Sequence, residues 1–298
     1  LRTAMISLLS LSAVACKQKK SHLESDAKDA EVQAEQKEED ETLGRAEDDL
    51  DADGKRELRL AIESDRRSEE NKARDDARHP RETLEFFGIK QDMVVLEIGP
   101  GAGWYSEILA PFVAGKGELI VGLPDPEGPS AKYRKGWEQL VKADESMYGS
   151  VRSIVFDPPT YKDLPEGTVD MVLSIRNVHG WVGNDTIDDA FEAVYKTLKP
   201  GGIFGVIDHR ADDDANPEES AKQGYTPQPY VIERAEAAGF ELQEASEINA
   251  NEKDTKDHAN GVWSLPPTLR HDTDEEKEKA LDIGESDRMT LRFVKPKE

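Results

Sequence analysis

The chain has 298 residues, 63 of them Asp or Glu and 39 Lys or Arg, which gives a formal net charge of −24 at pH 7. That balance excludes nucleic acid as a partner, because a phosphate backbone is bound by Lys and Arg clustered on the contact face, and no basic, aromatic stretch supplies such a face. The only cysteine, Cys16, excludes an intramolecular disulfide, so the core must be held by burial alone, for which the chain is long enough.

In chain order, residues 1–16 combine a basic residue, a short apolar run and small residues leading into Cys16. The run is shorter than the ~20 apolar residues a membrane-spanning helix needs, and it reads as a secretory signal. Ala13-Val-Ala-Cys16 resembles a bacterial lipobox, which implies a lipidated Cys16, an exported, membrane-anchored protein and a periplasm-facing domain. Residues 17–77 are dominated by Glu, Asp, Lys, Arg, Ala and Gln. Such composition buries too little apolar surface to offset chain entropy, so an acidic tether is expected, disordered or loosely helical, with a solvated helix over 55–74 carrying a thin stripe of Leu58, Ala61 and Ile62. Within it, Asp49-Leu-Asp-Ala-Asp-Gly54 matches the first half of a calcium loop, but Arg56 and Leu60 stand where the second half needs an aliphatic residue and a glutamate, so an acidic turn is preferred.

From residue 78 to 298, strand and helix patterns alternate, which predicts one doubly wound α/β domain. Strands are expected over residues 93–98, 118–122, 151–156, 169–175, 202–208, 240–248 and 288–294, and helices over 104–113, 132–147, 186–198 and 229–238. The most informative stretch is Val94-Val-Leu-Glu-Ile-Gly-Pro-Gly-Ala-Gly-Trp-Tyr-Ser-Glu-Ile-Leu109, in which an apolar strand breaks into Gly99, Gly101 and Gly103 before a helical pattern. Glycines let backbone come close to a ligand, and the helix start offers free N–H groups. The spacing is not the G-x-G-x-x-G of dinucleotide sites, which argues against a nicotinamide-dependent oxidoreductase. Glu97 at the strand tip would repel a pyrophosphate but suits an ammonium group.

The pattern E-x-G-x-G-x-G resembles motif I of the class I S-adenosylmethionine-dependent methyltransferases, and Leu198-Lys-Pro-Gly-Gly202 before an apolar run resembles their step into the fifth strand. Together with Arg78-His-Pro-Arg81, Asn177-Val-His179 and Arg288-Met-Thr-Leu-Arg-Phe293, the domain resembles a little-characterised bacterial group of exported methyltransferases. The resemblance implies a Rossmann-like, seven-stranded sheet in the order 3-2-1-4-5-7-6, here with a long insertion over 249–287 between the last two strands, read as a lid or substrate cap. It also implies S-adenosyl-L-methionine as cofactor and a small-molecule or envelope methyl acceptor.

Ligands of open α/β sheets bind beyond the carboxyl ends of the strands. The expected cofactor-binding residues there are Glu97, Gly99, Gly101 and Gly103 after strand one, Asp125 after strand two, Asp157 after strand three and Asn177 after strand four. Leu123 occupies the usual place of the ribose-binding acid, and Asp125 follows two residues late. His179 is the first candidate for the base that takes the acceptor's proton, with Trp181 beside it, and His209, oriented by Asp208, is the second. His179, His209 and Asp208 also have metal-ligand chemistry, but no close sequence spacing supports a metal and none is expected. The rival reading is a scaffold or cofactor-binding lipoprotein without catalysis.

Overall fold

The computed structural model describes residues 50–297; the expected signal sequence, Cys16 and the tether up to residue 49 lie outside the described residues. The first helix, α1 (Ala52–Glu63), begins where Asp51 accepts a hydrogen bond from the Gly54 N–H at 2.7 Å. The half calcium motif is therefore, from Asp51 onward, a helix N-cap.

Residues 50–77 depart from the expected tether. Leu58 is fully buried in α1, and Ala61 and Leu50 join it in the core that also holds Phe112 and Val113. Arg67, 2 % exposed, forms a two-pronged ion pair with Asp75 at 2.7 Å and donates to the Ile62 carbonyl at 2.8 Å. Two short helices, α2 (Glu69–Lys72) and α3 (Asp75–Arg78), then lead into α4 (Pro80–Phe87). Composition underrated this stretch because one well-placed leucine and one paired arginine anchor it. Leu58→Ala is expected to cost about 2–5 kcal/mol in urea unfolding, since it empties a filled core position.

The central sheet follows from alternation along its strands. In β1 (Val94–Ile98), Val95 enters the core on one face while Leu96 and Ile98 enter the core on the other. One core holds Leu84 and Phe87 of α4 with Ile108 and Phe112 of α5 (Ser106–Val113). The opposite core stacks Phe191 of α9 (Ile187–Thr197) and Val231 of α11 (Gln228–Ala237) against Phe204 and Phe293. Between these lie α6 (Arg134–Ala143), α7 (Glu145–Tyr148), α8 (Val178–Gly183) and α10 (Pro217–Lys222).

The other strands are β2 (Glu118–Leu123), β3 (Arg152–Asp157), β4 (Thr160–Lys162), β5 (Val169–Ile175), β6 (Leu198–Ala211), β7 (Thr226–Pro227), β8 (Glu241–Ser246) and β9 (Arg288–Val294). The sheet order is β4-β3-β2-β1-β5-β6-β9-β8, with β7 beside the end of β6. Stripped of the β4 hairpin at the edge, this is the expected 3-2-1-4-5-7-6 arrangement, with β9 antiparallel to both neighbours. The β4 hairpin was not read from sequence because three residues carry no periodic signal. β6 is twice as long as expected, since Leu198 already pairs with Val169 before the Pro-Gly-Gly irregularity and Ile203 with Met171 after it.

The insertion over residues 249–287 is built and packed. Its acidic part forms α12 (Asp274–Ile283), opened by a capping box of Thr273 and Glu276. Buried Asp254 accepts from the Tyr225 hydroxyl and from the Asp287 N–H at 2.9 Å. His258 and His271 serve the insertion itself, donating to Asp254 and to the Ser264 carbonyl at 2.9 and 2.6 Å.

Candidate functional site

Three glycines of the turn after β1 take left-handed φ values, 61° at Gly99, 60° at Gly101 and 84° at Gly103, which side chains with a Cβ rarely adopt. A Cβ on Gly99 would lie 2.4 Å from Asn177 Oδ1, whereas one on Gly101 would meet nothing within 4 Å. Gly99 thus admits Asn177 at close quarters, and Gly101 leaves open space for a ligand. Gly99→Ala is expected to lower the melting temperature and to weaken ligand binding together, since it both strains the turn and displaces Asn177.

Glu97 is 3 % exposed and accepts a short hydrogen bond from Ser106 Oγ at 2.5 Å. Burial pushes its carboxyl up to about 7, against the opposing pull of the Ser106 hydroxyl. A carboxylate so placed is costly to ionise alone and gains a partner when a cation arrives. Asn177 donates to the Ile98 carbonyl at 2.9 Å, tying the start of α8 to the end of β1. The position expected for cofactor contact is therefore also a strut of the turn.

After β2, Asp125 is 9 % exposed and already engaged: Lys162 Nζ lies 2.8 Å from Oδ2, and the Glu127 N–H donates to Oδ1 at 3.1 Å. The Lys162 hydrogen bond chiefly, then the Glu127 N–H, holds its carboxyl below the usual range. Asp157 accepts from the Asp125 N–H at 3.1 Å, so the two acids expected from separate strands meet in one loop. Lys162, on the edge strand, was missed from sequence because only the hairpin pairing Asp157 with Thr160 brings it back.

At the ends of β5 and β6 the candidate bases come together. Asp208, fully buried, accepts from His179 Nδ1 at 2.9 Å, from the His179 N–H at 2.5 Å and from the His209 N–H at 3.0 Å. The aspartate thus orients His179 and not, as expected, the His209 ring. A carboxylate only accepts, so His179 carries its proton on Nδ1 and presents Nε2 as an acceptor. His209 is 7 % exposed, with Nδ1 2.5 Å from Ser286 Oγ of the insertion. Burial first, then proximity to the His179 ring and the charges of Arg176, Arg288 and Arg78, hold His209 well below the usual histidine range, so it stays neutral near pH 7. Trp263 of the insertion lies 6.5 Å from the His179 ring, centroid to centroid. Trp181, expected beside His179 at the transfer position, is instead in the core against Phe156 and Phe191, because α8 turns its ring inward.

The ligand atoms of His179, Asp208 and His209 lie within 4.8 Å of one another, which the topology achieves without any close spacing in sequence. Among the described residues, the hydrogen bonds to the Asp208 carboxylate come from these two histidines, and His179 Nδ1 is one of the donors. The Asp208 carboxylate holds the His179 imidazole in place and leaves its Nε2 outward.

Residues 96–206 match the family described as methyltransferase domain. A sterol 24-C-methyltransferase of Kluyveromyces lactis is 27 % identical over 206 residues, covering 63 % of this chain and 51 % of its own length. One from Clavispora lusitaniae is 29 % identical over 186 residues, covering 56 % and 45 %. The chain spans about half the length of the curated relatives it matches. Among solved structures, a putative sarcosine dimethylglycine methyltransferase from Galdieria sulphuraria superposes with a TM-score of 0.52 at 12 % identity, over 82 % of this chain and 98 % of that one. The [4+2]-cyclase SpnF superposes with a TM-score of 0.52 at 15 % identity, over 79 % and 86 %. With this strand order and these likenesses, the described domain has the fold of the class I S-adenosylmethionine-dependent methyltransferases.

Proposed function

We propose that the chain is an S-adenosylmethionine-dependent methyltransferase acting on a small-molecule acceptor, with His179 as the base. The observation that carries this reading is the juxtaposition of the open glycine turn and buried Glu97 with the Asp208-held His179, linked through Asn177. The cofactor fits the residues present: Gly101 has room where a Cβ would stand, and Glu97 is a buried acid suited to an ammonium. Glu97 and the turn from Gly99 to Gly103 would hold the amino-acid end, and Asp125 and Asp157 the nucleoside end. When bound, S-adenosylmethionine supplies an electrophilic methyl group.

The chain's own part is positioning and proton removal. Asp208 fixes the tautomer and direction of His179, whose Nε2 takes the proton of the acceptor heteroatom. The depressed basicity of His209 and its tie to Ser286 favour His179 for that task. Isothermal titration of the full chain with S-adenosylmethionine and S-adenosylhomocysteine tests the reading, and absence of binding at millimolar ligand overturns it.

Asp125, engaged by Lys162, favours a second reading, a cofactor-binding protein without methyl transfer; SpnF, a cyclase, shows that this fold carries other chemistry. Tight cofactor binding without turnover across carboxylate, phosphate, amine and hydroxyl acceptors would select it.

We also propose, on the sequence of residues 1–16 alone, that the protein is an exported lipoprotein anchored through Cys16 and that its acceptor belongs to the cell envelope. Cys16→Ser is expected to abolish incorporation of labelled palmitate and release the protein from membranes; unchanged membrane association would overturn this.

A further inference from the structure

Beside the candidate base stands a cluster of arginines that the reading above does not use. Arg74 stands in the turn just before α3 and Arg78 ends that helix, Arg176 is the first residue after β5, and Arg288 opens β9, opposite His209 in the ladder. The carboxylate in contact with Arg74, Arg78 and Arg288 is Glu285, at the end of the insertion. It accepts from Arg74 Nε at 2.8 Å and Arg78 Nε at 3.0 Å, and lies 3.1 Å from Arg288 Nη1.

One acid thus serves three guanidinium groups. Among the described residues Arg176 has no ion-pair partner and no acceptor for its guanidinium. Buried donors are left over as well: Arg78 Nη2, Arg176 Nε and Arg288 Nε have no hydrogen-bond partner, although Arg78 is 2 % and Arg288 4 % exposed. Buried positive charge with unfilled donors is costly unless an anion completes it. Burial foremost, with mutual repulsion added and the attraction of Glu285 opposing it, lowers all of Arg78, Arg176 and Arg288 below the usual arginine range.

Arg176 adds a backbone observation. It holds a φ of 62°, a left-handed conformation that side chains rarely adopt, and its N–H is fixed to the Ile207 carbonyl at 2.7 Å. Such strain at a strand end next to Asn177 and His179 is characteristic of functional positions.

We propose that the Arg78, Arg176 and Arg288 cluster binds an oxyanion, carboxylate or phosphate, carried by the methyl acceptor, and so seats the acceptor's nucleophile at His179. The proposal rests on the methyltransferase reading. Planar guanidinium forks suit two-oxygen recognition of such groups, and the cluster borders His209 and Asp208 at the ends of β5, β6 and β9. Arg78 also lies over the Trp104 ring of the glycine turn, 4.8 Å from its centroid, so the cofactor's own carboxylate is the competing occupant.

The test uses the full chain. It is first titrated with S-adenosylhomocysteine, and the saturated protein is then titrated with inorganic phosphate and with acetate. At least one anion is expected to bind the saturated protein, the tighter of the two giving the oxyanion class. Arg176→Gln is expected to weaken anion binding at least about tenfold while leaving S-adenosylhomocysteine affinity within about twofold. Arg176→Gly suits the left-handed backbone; it is expected to fold with an undiminished melting temperature and to show the same loss, which keeps the test independent of any folding defect in the Gln variant.

Anion binding that vanishes once S-adenosylhomocysteine is present assigns the cluster to the cofactor and overturns the proposal. So does an Arg176→Gln loss of S-adenosylhomocysteine affinity as large as its loss of anion affinity. Failure of both anions to bind the wild-type protein makes the cluster a purely structural network. If S-adenosylhomocysteine itself does not bind, the methyltransferase reading falls with the acceptor assignment, while anion titration of the unliganded protein still decides whether the arginines form a site.

Discussion

Asp208→Asn is expected to lower turnover by roughly 10²–10⁴-fold while S-adenosylhomocysteine binds as in the wild type. The reason is a proton on the wrong nitrogen. In the native protein the buried carboxylate accepts from His179 Nδ1 at 2.9 Å and from the His179 N–H at 2.5 Å, so Nε2 is free to accept. An asparagine keeps one acceptor for the backbone N–H and turns its amide donor toward Nδ1, which shifts the ring proton to Nε2 and removes the base. His179→Gln is expected to cost about as much, and the double variant no more than either single one, because the two side chains act as one unit. Steady-state kinetics with a turned-over acceptor, beside calorimetric cofactor binding, measures this. Asp208 touches no substrate in this account and is a positioning residue; an undiminished rate in Asp208→Asn, or additive losses in the double variant, would remove it from the mechanism. His209→Asn is expected to be milder, since its ring is hydrogen-bonded to Ser286 and little exposed.

The second large effect concerns Glu97. Its folded value, about 7, lies above the ordinary carboxyl value of 4.5, so its contribution to stability is fully present below about 4.5 and lost as the pH rises through about 7. Over that window the unliganded protein forfeits about 3 kcal/mol at this one group. Glu97→Gln keeps an acceptor for Ser106 and cannot ionise. It is therefore expected to stabilise the unliganded protein by up to about 3 kcal/mol at pH 8 and to change little at pH 4, as read by urea unfolding at the two values. The same variant is expected to bind S-adenosylmethionine about 10–100-fold more weakly, because the cation loses its charged partner. Opposite signs on stability and affinity mark a residue kept for its ligand. A variant both less stable at pH 8 and unchanged in affinity would show that Glu97 is structural.

These expectations rest on parts of the chain that were unequally legible in the sequence. The turn from Gly99 to Gly103, Glu97 before it and the strand alternation are local patterns, since a period of two and a demand for left-handed backbone are written in adjacent residues. Strand ends followed, and with them Asn177, His179, Asp208 and His209 at one edge of the sheet. The structure bears out the fold and brings these residues together.

Which partner each takes was another matter. Asp208 is adjacent in sequence to His209, yet its carboxylate orients the ring of His179, 29 positions away, because β5 and β6 run in parallel with their ends in register. Residues 50–77 read as a polar tether from composition and proved helical and packed, since Leu58 finds its place only in a core built by elements elsewhere in the chain and Arg67, paired with Asp75, lies over the Trp104 ring. The arginine cluster unites residues 74, 78, 176 and 288 around Glu285, a grouping drawn from three segments far apart in the chain. The sequence by itself determined the class of fold and the end of the sheet at which Glu97, Asn177, His179 and Asp208 gather, because both follow from local backbone preference and periodic burial. Tertiary structure alone decided which imidazole Asp208 holds and where unpaired positive charge collects, because hydrogen bonds and buried charges are settled by distances between residues far apart in the chain.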